Sequence, residues 1–142
     1  MKYFITGTRR GLGKALEEKY GNCDSLEECD IFINCKHEGF SQIEALYNAA
    51  DLGKTIINIG SNSGDGIKKH KHMYAIEKVA LDKANEQLFY QGVNTTVLRL
   101  GYFDTERVAH INEPKMSLEY VVSLIEWVIS QPHRIKELTI VP

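Results

Sequence analysis

The chain has 142 residues, 43% hydrophobic and 25% charged, with 17 basic side chains against 19 acidic ones for a net charge of −2. That is one globular domain (1–142) with material for a core, and it has no basic excess to draw it to nucleic acid or an anionic membrane. No apolar run nears the roughly 18 residues that span a bilayer, and the opening MKYFITGTRRG lacks a signal-peptide core, so the cytoplasm is the expected compartment. Cys23, Cys29 and Cys35 lack C-x-x-C spacing and read as reduced thiols.

Residues 2–6 predict a short apolar strand that runs into Gly7-Thr8-Arg9-Arg10-Gly11-Leu12-Gly13. A helix follows, with Leu12, Ala15, Leu16 and Tyr20 at helical spacing. A glycine-rich turn between strand and helix lets backbone approach an anion closely, and the helix start offers it free N–H groups. After a short polar stretch at 22–29, residues 30–35 predict a second strand. Residues 40–52 predict a helix with Ile43, Leu46, Tyr47 and Ala50 inward, stopped by Gly53.

A third strand at 55–59 closes in Gly60-Ser61, and a polar loop leads to a helix at 73–90. Residues 95–100 predict a fourth strand ending at Gly101, and 102–116 a loop carrying Pro114. Ser117 is the expected N-cap of a helix to about 130, with a stripe of Leu118, Val121, Val122, Ile125, Val128 and Ile129. Trp127 on this helix is read as packing. Pro132 stops the helix, and 138–141 predict a closing strand. Strands alternating with helices in this way predict an α/β fold, a parallel sheet covered on both faces.

The candidate chemistry lies between the third strand and the following helix. Tyr74 and Lys78 are four residues apart, one above the other on one helical face. A phenol ordinarily ionises near pH 10, and a fixed cation beside it is expected to lower that value. Ser61, at a strand end, can meet a substrate oxygen while Tyr74 handles its proton. The run Lys68-Lys69-His70-Lys71-His72 at the mouth of this site is read as a solvated loop able to recruit an anion. His70 and His72 lack a third ligand at metal spacing.

Five segments together resemble the short-chain dehydrogenase/reductase family. Residues 6–13 match its T-G-x-x-x-G-x-G loop, and 30–35 its strand ending in N-N-A-G. Residues 58–61 match the strand with its catalytic serine, Tyr74 and Lys78 its Y-x-x-x-K, and 100–105 its P-G-x-x-x-T segment. The resemblance implies a truncated Rossmann-like α/β/α fold with about five strands. It implies an NAD(P)(H)-dependent oxidoreductase that interconverts a small-molecule carbonyl and alcohol. Tyr74 would be the acid/base, Lys78 would depress the tyrosine pKa and hold the nicotinamide ribose, and Ser61 would bind the reacting oxygen. Cofactor contacts would come from Gly7, Thr8, Arg9, Arg10, Gly11, Leu12, Gly13, Asn34, Tyr74, Lys78, Gly101 and Thr105.

Family helices equivalent to 41–52 and 73–90 form subunit interfaces, which implies a homodimer or homotetramer; Ala45, Ala49, Ala80 and Ala84 would permit the close packing. Arg9 and Arg10 favour NADP(H) over NAD(H), since guanidinium groups suit a 2′-phosphate. The departures matter as much. Strands that normally follow the first helix are missing, which would leave the first strand at an edge that a second subunit could cover. Asp24 is the nearest acid for the adenine ribose, and Asn48 the nearest asparagine for the family's proton relay. Lys36 and His37 replace the Ala-Gly of N-N-A-G. The alternative reading is a catalytically weak or inactive binding or regulatory protein on the same scaffold.

Overall fold

The computed structural model describes residues 1–66 and 71–142. Among these, five parallel strands stand in sequence order: β1 (Tyr3–Ile5), β2 (Ile31–Asn34), β3 (Thr55–Ser61), β4 (Thr95–Leu100) and β5 (Glu137–Ile140). The helices are α1 (Gly11–Tyr20), α2 (Ser41–Asp51), α3 (Met73–Tyr90) and α4 (Leu118–Ser130). The strand carrying Ser61 runs two residues beyond the expected 55–59, because β4 pairs with it as far as Ser61↔Leu100. Ser117 does cap α4, its side chain accepting the Tyr120 N–H at 3.1 Å.

Side-chain alternation along the strands sorts the core into two layers. Ile31, Ile33, Ile57, Ile59, Leu98 and Leu100 meet Leu12 and Leu16 of α1 and Val121 and Ile125 of α4. Phe32 and Ile56 face the other way, onto Leu46 and Ala49 of α2 and Leu81, Ala84 and Leu88 of α3. The inward stripe of α2 is Gln42, Leu46 and Ala49, rotated from the expected one, and Tyr47 lies on the outside. Ala49 and Ala84 are therefore buried within the subunit rather than offered to a partner. Trp127 is half exposed on α4, so the expectation that it is packing does not hold: that face of the helix has no neighbour among the described residues that buries it.

The strands are all added in one direction, yet α1 and α4 lie on one face and α2 and α3 on the other. The two pairs of crossovers thus have opposite hands, against a rule that nearly all parallel units obey. With the α2 and α3 crossovers of usual hand, α1 sits where a right-handed unit would hold it if its next strand lay beyond β1.

That outer edge of β1 is covered by the chain itself. The Asn22 side chain accepts the Ile5 N–H at 2.9 Å and donates to the Ile5 carbonyl at 3.0 Å. The Cys23 N–H donates to the Tyr3 carbonyl at 2.9 Å. A two-residue clip satisfies the groups that another strand would use, so the expected need for a second subunit at this edge falls away.

Candidate active site

The chemistry-bearing residues gather at the C-terminal ends of the strands, around a cleft of about 1050 Å³. Ser61, Tyr74 and Lys78 line its inner part, with Leu100, Gly101 and Thr105 from the segment after β4. Residues 7–13 line its outer part.

The glycine turn is built for close approach. Gly7 has φ +70°, a left-handed conformation that favours glycine. A Cβ on Gly13 would lie 2.0 Å from the Gly7 carbonyl oxygen, so only glycine lets α1 settle onto the turn. Arg10, at the N-cap, makes no side-chain cap bond, and the first turn of α1 holds no acidic residue. The N–H groups at the start of α1 are left for an anion. The Thr6 hydroxyl accepts the N–H groups of Cys35 and Lys36 at 3.0 and 3.1 Å, which ties the turn to the end of β2. Thr105 stands over the turn, its Cγ2 3.5 Å from where a Gly11 Cβ would be. Leu12 is spent on the core, 4% exposed.

Ser61 Oγ accepts the Ser63 N–H at 3.0 Å, which aims its own hydroxyl proton away from the backbone. Burial is the largest influence on the Tyr74 phenol and outweighs the Ser61 hydroxyl and the Arg107 charge, both of which favour the phenolate. The Tyr74 pKa is raised, not lowered as the Tyr–Lys spacing predicts. The Lys78 ammonium lies 5.6 Å from the centre of the Tyr74 ring and spends its bonds elsewhere. It donates to Gln42 Oε1 at 2.8 Å and to the Ile59 carbonyl at 3.0 Å. One of its three N–H groups remains for the cleft. With 4% exposure and no carboxylate bonded to it, burial pulls its pKa down to about 8.

Gln42 was not foreseen. It is 3% exposed, and besides accepting from Lys78 its amide donates to the carbonyls of Asn34 at 2.9 Å and Ile59 at 3.1 Å. The signal was a polar residue at spacing i, i+4, i+7 with Leu46 and Ala49, a core position that demands partners. Asn48, the nearest asparagine to the family's relay position, is exposed on α2 and does not line the cleft.

Asn34, expected among the cofactor contacts, departs from that expectation. It is 1% exposed and does not line the cleft: its amide donates to the Gln42 carbonyl and to Asn58 Oδ1, both at 2.8 Å. Asn58 continues inward to Asn85 at 3.1 Å and Thr95 at 3.0 Å, so a chain of buried amides backs the site. Asp24 is exposed and also lies off the cleft.

Lys36 lines the cleft, and its ammonium lies 3.7 Å from Glu38. His37 stays in the cleft wall, its ring edge-on to Tyr74 at 4.8 Å and its Nε2 3.7 Å from Glu77. Burial and then the Lys78 charge lower the His37 pKa, so the imidazole is neutral at pH 7. Burial pushes the Cys35 thiol up to about 11, which leaves it a poor nucleophile. Lys68, Lys69 and His70 of the basic run lie outside the described residues; His72 lines the cleft near Tyr74. No helix among the described residues is long and apolar enough to cross a membrane.

No protein-family model matches the sequence, and no curated protein matches it. Solved structures do match the fold, and they are short-chain dehydrogenases and reductases. An NADPH-dependent reductase involved in bacilysin biosynthesis superposes with a TM-score of 0.76 at 15% identity, over 99% of this chain and 95% of that one. 4-Hydroxyisoleucine dehydrogenase complexed with NADH gives 0.74 at 16% identity, over 99% and 96%. A short-chain dehydrogenase from Burkholderia cenocepacia in complex with NADP gives 0.69 at 15% identity, over 98% and 89%.

Proposed function

From the fold it shares with short-chain dehydrogenases and reductases, we propose that this chain is an oxidoreductase that interconverts a small carbonyl and an alcohol with a nicotinamide cofactor. The observation that supports this most is the meeting of Ser61, Tyr74 and Lys78 on one cleft, behind an uncapped helix start.

A bound nicotinamide supplies the hydride. Tyr74 gives the substrate oxygen its proton, and Ser61 donates a hydrogen bond to the same oxygen. The raised tyrosine pKa leaves the phenol with a proton to give. Lys78 offers its remaining N–H to the ribose hydroxyls, held in place by Gln42 and the Ile59 carbonyl. Gly101 and Thr105 would flank the nicotinamide, and residues 7–13 would receive its phosphate. Arg9 and Arg10, both exposed, favour NADP(H) over NAD(H) by charge. The outer faces of α2 and α3 carry exposed Tyr47, Met73 and Ile76, a surface suited to a homodimer or homotetramer.

Titration of the protein with NADPH and NADH, followed by nicotinamide fluorescence, tests the reading. Binding at micromolar to millimolar concentration supports it, and silence from both at millimolar concentration removes it. A second reading, a binding protein without turnover, draws support from the Tyr74 phenol, whose pKa is raised and not depressed. It predicts cofactor binding with no reduction of any aldehyde or ketone in a broad panel.

A further inference from the structure

The two halves of a dinucleotide meet unequal reception in this cleft. Its walls come from residues 7–13 and from residues 35 onward; nothing between 14 and 34 contributes. In dinucleotide-binding sheets that interval holds the strand next to β1, whose end carries the acid that binds the adenosine ribose. Here the outer edge of β1 is closed by Asn22 and Cys23, which bond Ile5 and Tyr3 and stop there. Asp24, the nearest acid, is exposed and off the cleft. Arg9 and Arg10 are both exposed, and no residue between 14 and 34 lines the cleft to offer an adenine a face to stack on or its ribose an acceptor. The nicotinamide end has the opposite character, with Lys78 and Ser61 buried in the cleft wall.

We infer that the chain recognises the nicotinamide–ribose–phosphate half of its cofactor alone, so that reduced nicotinamide mononucleotide serves it as a ligand about as well as the full dinucleotide. This rests on the nicotinamide reading proposed above and narrows its ligand class. Whatever preference NADPH has over NADH then comes from charge near Arg9 and Arg10, without walls, and fades as salt screens it.

Fluorescence titration of the full chain with reduced nicotinamide mononucleotide, NADH and NADPH at 0.15 M salt tests this directly. The expected result is a mononucleotide Kd within about threefold of that for NADH, with AMP at 10-fold excess displacing neither. Asp24→Ala is expected to leave both constants unchanged, and 0.5 M salt to erase any advantage of NADPH. NADH binding more than about tenfold tighter than the mononucleotide would overturn the inference while leaving the redox function standing. So would a loss of NADH affinity, and not of mononucleotide affinity, in Asp24→Ala. If none of the three binds at millimolar concentration, the nicotinamide reading fails and takes this inference with it.

Discussion

The inner and outer ends of the cleft are supported in different ways. Behind the inner end, Lys78, Gln42, Asn34, Asn58, Asn85 and Thr95 form a buried polar chain in which each group has a partner at 2.7 to 3.1 Å. Behind the outer end there is a turn, two exposed arginines and a sheet edge closed by a two-residue clip. A satisfied polar network holds a side chain such as Lys78 to one position, whereas the clip bonds only the backbone of β1 and positions no side chain in the cleft. The difference shows that the buried side chains fix Lys78 in the cleft wall, while no residue between 14 and 34 reaches the cleft at all.

The largest expected effect tests the inner end. Tyr74→Phe should lower carbonyl reduction by roughly 10²- to 10⁴-fold, the range of a lost general acid, while cofactor affinity changes little. Steady-state rates beside fluorescence titration separate the two; equal rates in variant and wild type would show that the phenol carries no proton.

Next comes the support behind Lys78. Gln42→Leu leaves a buried ammonium short of an acceptor and the Asn34 and Ile59 carbonyls short of a donor. Urea unfolding at pH 7 should show a loss on the order of 3 to 4 kcal/mol, large for one side chain. A loss below about 1 kcal/mol would mean that the network does not hold the lysine.

A similar magnitude comes from pH. The folded-state pKa of Lys78, about 8, lies below the ordinary 10.5. Between those values the unfolded chain holds a proton that the folded chain has released, so stability rises with pH across that window. Below pH 8 both states carry it and the slope vanishes. The rise amounts to about 3 kcal/mol, and subtraction of the Lys78→Met curve should isolate it. Parallel curves would place the ammonium in contact with water.

The smallest effect belongs to the outer end. Asn22→Ala opens the β1 edge and should cost about 1 kcal/mol, with self-association increasing as protein concentration rises. Light scattering and thermal melts would register both.

Much of this arrangement could be read from the letters, and its gaps have physical causes. Strand runs such as 95–100 and the helix 73–90 were legible because apolar periodicity and glycine stops agree there. Tyr74 and Lys78 share a helical face by spacing alone, and the structure puts that face on the cleft with Ser61. Spacing could not give the sign of the tyrosine shift, since this depends on burial and on where the lysine sends its hydrogen bonds. Asn34 was misread because a strand-end asparagine points to either face of the sheet, and here it turns from the cleft to α2. The clip at Asn22 depends on a side chain mimicking backbone, which leaves no periodic trace.

On this reading a nicotinamide ring sits at the inner end of the cleft. A crystal structure of the protein grown with NADPH tests it most directly. The account predicts the ring between Tyr74 and the segment 101–105, leaving room for a substrate oxygen about 3 Å from both the Tyr74 and Ser61 hydroxyls. A ring bound elsewhere, or an inner cleft without cofactor at millimolar NADPH, would contradict it.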